Sequence, residues 1–166
     1  MHVKIIPLTP DRLAEYRELR IEAFTVDSLA FGLMTPEEDA LITDEKLFEE
    51  TSENELKKVF LAEVHQKIVG MIVVRKHSPI RNRAWIRLFF VSPCMRGKKI
   101  GFELFKNALQ HIKNHRVPST DLAVVETQEE AINMYERFKF KQIDEGVARK
   151  KLNGKYPKFK IMRLWV

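Results

Sequence analysis

The stretch Val91-Ser92-Pro93-Cys94-Met95-Arg96-Gly97-Lys98-Lys99-Ile100-Gly101-Phe102-Glu103-Leu104 decides how the rest of the chain is read. Before it, Trp85-Ile86-Arg87-Leu88-Phe89-Phe90-Val91 is aromatic and β-branched enough for a buried strand, and Pro93, which has no N–H, ends the ladder. After it, Ile100, Leu104, Phe105, Ala108, Leu109 and Ile112 recur at helical spacing. The first free N–H groups of that helix therefore fall in the turn from Arg96 to Gly101. Those donors, the positive end of the helix dipole, and the charges of Arg96, Lys98 and Lys99 suit the turn to a phosphate or pyrophosphate.

Spacing chooses among the phosphate-binding motifs. A Walker loop requires four residues between its first glycine and a Gly-Lys-Ser/Thr, and no such triplet follows Gly97. A dinucleotide Gly-x-Gly-x-x-Gly fails as well, because Gly97 and Gly101 are the only glycines here. The pattern Val-x-Pro-x-x-Arg-Gly-x-x-Ile-Gly-x-x-Leu instead resembles the acyl-CoA loop of the GNAT superfamily of N-acetyltransferases, whose core is Gln/Arg-x-x-Gly-x-Gly/Ala. Arg96 and Gly101 match that core, and Lys99 stands where the family usually has its first core glycine. A side chain there either swings outward and adds charge or weakens CoA binding.

A second stretch resembles the same family. In Val124-Val125-Glu126-Thr127-Gln128-Glu129-Glu130-Ala131-Ile132-Asn133-Met134-Tyr135-Glu136-Arg137-Phe138-Lys139-Phe140, a β-branched run leads into a helix bearing Ala131, Met134, Tyr135 and Phe138. It is similar to the family's Asn-x-x-Ala-x-x-x-Tyr-x-x-x-Gly-Phe segment. Ala131, Tyr135 and Phe140 match in spacing, Gln128 replaces the Asn, and Lys139 replaces the glycine at the helix exit. Near the end, Gly154, Tyr156 and Met162 resemble a GNAT group ending Gly-x-Tyr-x-Asp-x-x-x-Met, with Lys158 in place of the Asp.

The resemblance implies an α/β (α+β) fold: a mixed, mostly antiparallel seven-stranded sheet flanked by helices, with splayed fourth and fifth strands. It implies acetyl-CoA as acyl donor, no metal, and an amine of a small molecule, peptide or protein as acceptor, attacked directly in a ternary complex. Phe89, Phe90 and Val91 would carry the pantetheine arm. Arg96, Gly97, Lys98, Lys99, Ile100 and Gly101 would hold the diphosphate, with Gln128 and Tyr135 also against the cofactor. Residues Phe24 to Met34 would line the acceptor pocket. Tyr135 would be the acid that protonates the leaving thiolate; taken without its flanking pattern it reads as a core aromatic.

The base is the open position. Many relatives carry a Glu on the fourth strand, whereas Arg83 to Phe90 contains no carboxylate. Glu126 is the best placed alternative, ahead of Glu22, Asp27, Glu63 and His77, and a route through water is the other. At pH 7 an amine of pKa near 10 is only about 0.1% neutral, a deficit of about 4 kcal/mol that a relay must help overcome. The missing carboxylate, with Lys99 and Lys139, motivates a second reading: a CoA-binding sensor or adaptor that has lost turnover.

Composition bounds the rest. At 166 residues and 45% hydrophobic content, the chain is expected to form a single domain over 1–166. No apolar run approaches membrane-spanning length and Met1 to Pro7 lacks a signal-peptide pattern, so a cytoplasmic protein with no membrane partner is expected. The lone Cys94 cannot form an intrachain disulfide and reads as a small buried thiol rather than a reactive one. Residues 1–60 carry 7 Lys and Arg against 14 Asp and Glu, or −7; the remainder carries 22 against 9, or +13, and together they make the net +6. The basic part suits polyanionic CoA; nucleic acid is disfavoured as the partner, since only charge speaks for it. The acidic part suits a cationic acceptor, or is simply the solvated face of two helices.

The remaining elements follow from local signals. Val3 to Leu8 alternates as a strand, and Thr9-Pro10-Asp11 opens a helix with Leu13, Tyr16, Arg20, Ala23 and Phe24 inward. Thr35-Pro36-Glu37-Glu38 opens a second helical stretch to about Thr51, interrupted near Thr43. Phe60–Val64 and Ile68–Lys76 form a hairpin, followed by strands at Ala84–Val91 and Asp121–Val125 and a sixth that begins at Phe140 to Ile143. Asn153-Gly154 is a two-residue hairpin signal that predicts Val147–Leu152 pairing with Phe159–Trp165. The predicted order is β-α-α-β-β-β-α-β-α-β-β. The apolar ending Ile161 to Val166 is compatible with a homodimer through the last strands and with a monomer.

Overall fold

The computed structural model describes residues 1–52, 56–77 and 82–166. Seven strands form one sheet in the order β1-β2-β3-β4-β5-β7-β6. They are β1 (Val3–Pro7), β2 (Lys58–Val64), β3 (Lys67–Lys76), β4 (Ala84–Val91), β5 (Ser119–Val125), β6 (Lys141–Val147) and β7 (Lys158–Trp165). Every pairing is antiparallel except β4 with β5. The helices are α1 (Leu13–Val26), α2 (Pro36–Ala40), α3 (Asp44–Ser52), α4 (Ile100–Asn114) and α5 (Glu129–Arg137). The mixed, mostly antiparallel sheet is the expected one.

The cap signals worked locally as read, with adjustments. Thr35 and Glu38 close a reciprocal capping box around the start of α2. The second helical stretch is divided at residues 41–43 into α2 and α3, which adds one helix to the predicted order. Pro10 begins a 3-10 turn through Arg12, and the α-helix proper starts at Leu13.

One register expectation is corrected. Asn153 and Gly154 do make the tight turn, with φ of 51° and 76°, but only Leu152 and Lys155 bridge beside it. The strand that pairs with β7 is β6, Lys141–Val147, from Lys141 opposite Arg163 to Val147 opposite Lys158. The turn signal located the reversal; it does not say how far from the turn the ladder begins. Cys94 is also corrected: it is exposed. It lies in a 3-10 turn after β4, where Pro93 has already carried the chain to the surface.

Two apolar layers sandwich the sheet. On one face α4 and α5 pack Ile100, Leu104, Phe105, Ile112 and Tyr135 against Ile72, Val74, Ile86 and Leu122. On the other, α1 and α3 pack Tyr16, Leu19, Ala23 and Leu47 against Leu61, Met71, Val73 and Phe90. The two faces follow from the strand period of two, broken where the ladders shift register, and the break that shapes the site is on β4. Val73 pairs with Arg87 and Met71 with Phe90, so three residues on β4 span what two span on β3. The extra residue lies at Leu88, whose φ is 49°. This bulge turns Phe89 toward Phe105 and Tyr135 and Phe90 toward Phe31.

Candidate active site

The gap beside that bulge is where the site forms. β4 and β5 pair only at Ala84 with Thr120 and Trp85 with Asp121. Farther along, the two strands part, so alternate backbone groups of Ile86–Val91 face the gap with no strand partner. The closed end is held by Asp121, almost fully buried, which accepts from Arg163 Nε and Nη2 at 2.7 and 2.9 Å. Arg83 and His77 approach the same carboxylate at 3.6 and 3.5 Å.

At the open end stands the N-terminus of α4. Among the described residues, no carbonyl or side chain accepts from the backbone N–H groups of residues 97–102. This cluster of donors at the positive end of a 15-residue helix is a cradle for an anion. Lys98 and Lys99 are exposed around it. Lys99 takes φ of 64°, and Lys139, at the exit of α5, takes 74°. Both lysines thus occupy left-handed positions, which explains why a glycine is the usual residue at the corresponding places of the pattern read from sequence.

The Arg96 side chain is held by the protein. Its Nε donates to the Val91 carbonyl at 2.9 Å, its Nη2 to Asp27, and its guanidinium lies 5.5 Å from the centre of the Phe90 ring. Ser92 Oγ donates to Glu22 at 2.7 Å. Glu22 and Asp27, two of the weaker base candidates, therefore tie the end of α1 to the loop before α4. Gly101 serves close approach: a Cβ there would stand 3.1 Å from Phe89 Cζ and 3.7 Å from Val91 Cγ2. A bulky residue at 101 would press on β4 rather than fill the cradle alone, because the bare side of Gly101 faces the strand.

A cavity of about 710 Å³ runs from the splayed strands to the α1–α2 link. Leu88, Phe89, Gln128 and Tyr135 line it from one side and Phe24, Phe31 and Met34 from the other. Phe31 meets Phe24 and Phe90 edge-on at 5.7 and 6.3 Å, which fixes the link against β4. Tyr135 is 7% exposed, its ring packed on Phe105 at 5.3 Å. Burial pushes its phenol above the ordinary value near 10, so the hydroxyl stays protonated. Among the described residues nothing hydrogen-bonds that hydroxyl.

Other base candidates lie elsewhere. Glu126 is exposed just past β5, between the lining residues Val125 and Gln128, without lining a cavity itself. Glu63 binds Arg12 at 2.5 Å, and His77 is at the closed end with Asp121. Sequence reasoning placed Arg20 inward on the first helix but missed the cavity's other arginines, Arg75, Arg87 and Arg149. Arg75 and Arg87 could have been found from strand alternation; Arg149 could not.

The sequence of residues 13–140 matches the model of the acetyltransferase (GNAT) family. The chain belongs to that family. GNAT folds are also what it resembles among solved structures. An acetyltransferase of the GNAT family from Streptococcus pneumoniae superposes with a TM-score of 0.83 at 14% identity, covering 99% of this chain and 100% of that one. Ribosomal-protein-alanine N-acetyltransferase from Brucella melitensis gives 0.78 at 15% identity, over 98% and 99%. Mutant forms of the spermidine/spermine N-acetyltransferase from Vibrio cholerae give 0.74 at 19%, over 99% and 95%. At these identities the likeness speaks for the fold alone. Among curated proteins none matches the chain significantly by sequence. As a GNAT protein, the chain has acetyl-CoA as its family's acyl donor, and the cradle at α4 and the gap beside β4 are of the right chemistry for a diphosphate and an amide-bearing arm. No helix among the described residues is long and apolar enough to cross a membrane.

Proposed function

We propose that the protein is an N-acetyltransferase that moves the acetyl group of acetyl-CoA to a primary amine by direct attack. The observation that carries this is the placement of Tyr135, a buried phenol with an unshared hydroxyl, on the cavity into which the β4–β5 gap opens. The N–H groups of residues 97–102 hold the diphosphate, with Lys98 and Lys99 adding charge around them. The backbone groups that β4 turns to the gap along Phe89 to Val91, apart from the Val91 carbonyl taken by Arg96, hold the amide-bearing arm and polarise the thioester carbonyl. Gln128, at the N-terminus of α5, faces the same cavity. The amine nitrogen bonds to the acyl carbon, the carbon–sulfur bond breaks, and the Tyr135 hydroxyl donates its proton as charge builds on sulfur.

The amine must first lose a proton. Among the described residues no carboxylate lines the cavity. We therefore assign this step to water in the cavity, with Glu126 between Val125 and Gln128 as the carboxylate at which the relay reaches solvent. The decisive experiment is thiol release from acetyl-CoA with a panel of amines, for wild type and Tyr135→Phe. Turnover lost in the variant with acetyl-CoA affinity retained supports the reading. Tight CoA binding without transfer to any amine favours a CoA-binding sensor or adaptor. The changes at Lys99 and Lys139 and the lack of a strand carboxylate are what give that second reading weight.

A further inference from the structure

The cavity wall is cationic. Arg75 of β3, Arg87 of β4 and Arg149 of the β6–β7 connection line it, together with Arg20 of α1. Their convergence follows from the register. Val73 pairs with Arg87 and Arg75 with Trp85, so both sheet arginines lie on the face covered by α1. Arg20 is joined to buried Asp39 at 2.6 Å. The acidic N-terminal third would suggest a cationic acceptor, yet among the described residues none of its carboxylates lines the cavity, and Glu38, Asp44 and Asp27 pair with Lys150, Arg17 and Arg96.

Arg149 is held in place on both sides. Ala148 N–H donates to the Pro157 carbonyl at 2.8 Å, and Lys150 Nζ donates to the Leu33 carbonyl at 3.1 Å as well as pairing with Glu38. Arg149 also lines a second cavity, of about 300 Å³, that shares Ala30, Gly32, Ala123, Val124 and Phe159 with the first. The rest of the second cavity is apolar, from Leu29, Leu33, Val147 and Pro157. Arg149 therefore stands where the cationic cleft meets an apolar recess.

We propose that the acceptor is a carboxylate-bearing amine with an apolar body, a free apolar amino acid, whose carboxylate is held by Arg149, the arginine shared by both cavities, while its side chain enters the recess. This rests on the acetyl-transfer reading above and adds no reactant to it. A guanidinium fork fits a carboxylate bidentately and repels the second ammonium of a polyamine.

The test compares kcat/KM for leucine, methionine and phenylalanine with that for their amides and for spermidine. The free acids are expected to exceed their amides by about 10- to 100-fold, the value of a charge-assisted pair, with spermidine poorest. Arg149→Gln is expected to remove most of that preference with acetyl-CoA affinity unchanged. Amides or spermidine matching or exceeding the acids, or an unchanged preference in Arg149→Gln, would overturn the proposal. If no amine is acetylated, the transfer reading fails and this one is still decided by thermal shift with CoA present. N-acetyl-leucine stabilising wild type more than N-acetyl-leucinamide, and not doing so in Arg149→Gln, sustains it; equal or absent stabilisation overturns it.

Discussion

Asp121 receives both forks of the Arg163 guanidinium at the last rung where β4 and β5 still pair, opposite Trp85. The ion pair thus clamps the sheet at the point from which the strands diverge. Removing the buried carboxylate leaves the part-buried Arg163 guanidinium without its counter-ion, with Arg83 close by. Asp121→Asn is expected to lower stability by about 3–5 kcal/mol in urea unfolding, as for other broken buried pairs. A loss under about 1 kcal/mol would mean that the ion pair does not clamp the sheet.

Lys99 and Lys139 are expected to be stabilised by glycine. A left-handed non-glycine residue costs about 1–2 kcal/mol, and the extra freedom of unfolded glycine returns about 0.5–1 kcal/mol of that. Each substitution should therefore raise stability by up to about 1 kcal/mol. Lys139→Gly should leave acetyl-CoA affinity alone. Lys99→Gly should weaken it no more than a few-fold, about 1 kcal/mol, because the lysine is exposed and the backbone donors remain. A tenfold tightening instead would show that the side chain obstructs the diphosphate.

Tyr135→Phe keeps the ring contacts with Phe89, Phe105 and Phe140 and removes the proton donor. It is expected to lower kcat by about 10²–10⁴-fold, with at most about 1 kcal/mol of lost stability. An unaltered kcat with a marked drop in melting temperature would make Tyr135 a packing residue. Glu126→Gln should lower kcat by about tenfold or less, since water can carry the proton past an exposed relay; a loss near that of Tyr135→Phe would make Glu126 the base itself.

The pH dependence follows from burial. Burial, the largest influence on each, raises the phenols of Tyr16 and Tyr135 above 10. A general acid must be protonated, so Tyr135 imposes no fall in rate up to about pH 10, and kcat/KM should rise with pH as the amine deprotonates. Stability runs the other way at the alkaline end. Unfolded tyrosine loses its proton near 10 while the folded one keeps it, so the unfolded state binds fewer protons and stability declines as pH rises past about 10. Melting curves between pH 8 and about pH 11 would check this; a stability that climbs over that range would contradict it.

Much of this was legible because it is local. The Asn153-Gly154 turn, the Thr35–Glu38 capping box and the limits of β4 follow from short-range preferences that the fold obeys. The strand-to-helix cradle was legible for the same reason: apolar spacing alone locates the start of α4. The bulge was not, because nothing about leucine announces a φ of 49° at Leu88; packing on both faces of β4 imposes it. With the bulge hidden, strand parity could not say which of Phe89 and Phe90 faces α4. The cationic cleft was equally hidden. Arg20, Arg75, Arg87 and Arg149 come from four separate elements, and their meeting is a property of strand order rather than of any stretch of sequence.

The parting of β4 from β5 also makes the sheet two plates, β1-β2-β3-β4 and β5-β7-β6, whose ladders are continuous within each and joined at two rungs. In the free protein the plates are coupled through the packed side chains between them more than through backbone bonds. Amide hydrogen exchange should therefore resolve them as separate cooperative units, with the rim of β4 from Ile86 to Val91 opening most easily. A ligand arm hydrogen-bonded along that rim would act as a temporary eighth strand, and exchange in the two plates would slow together.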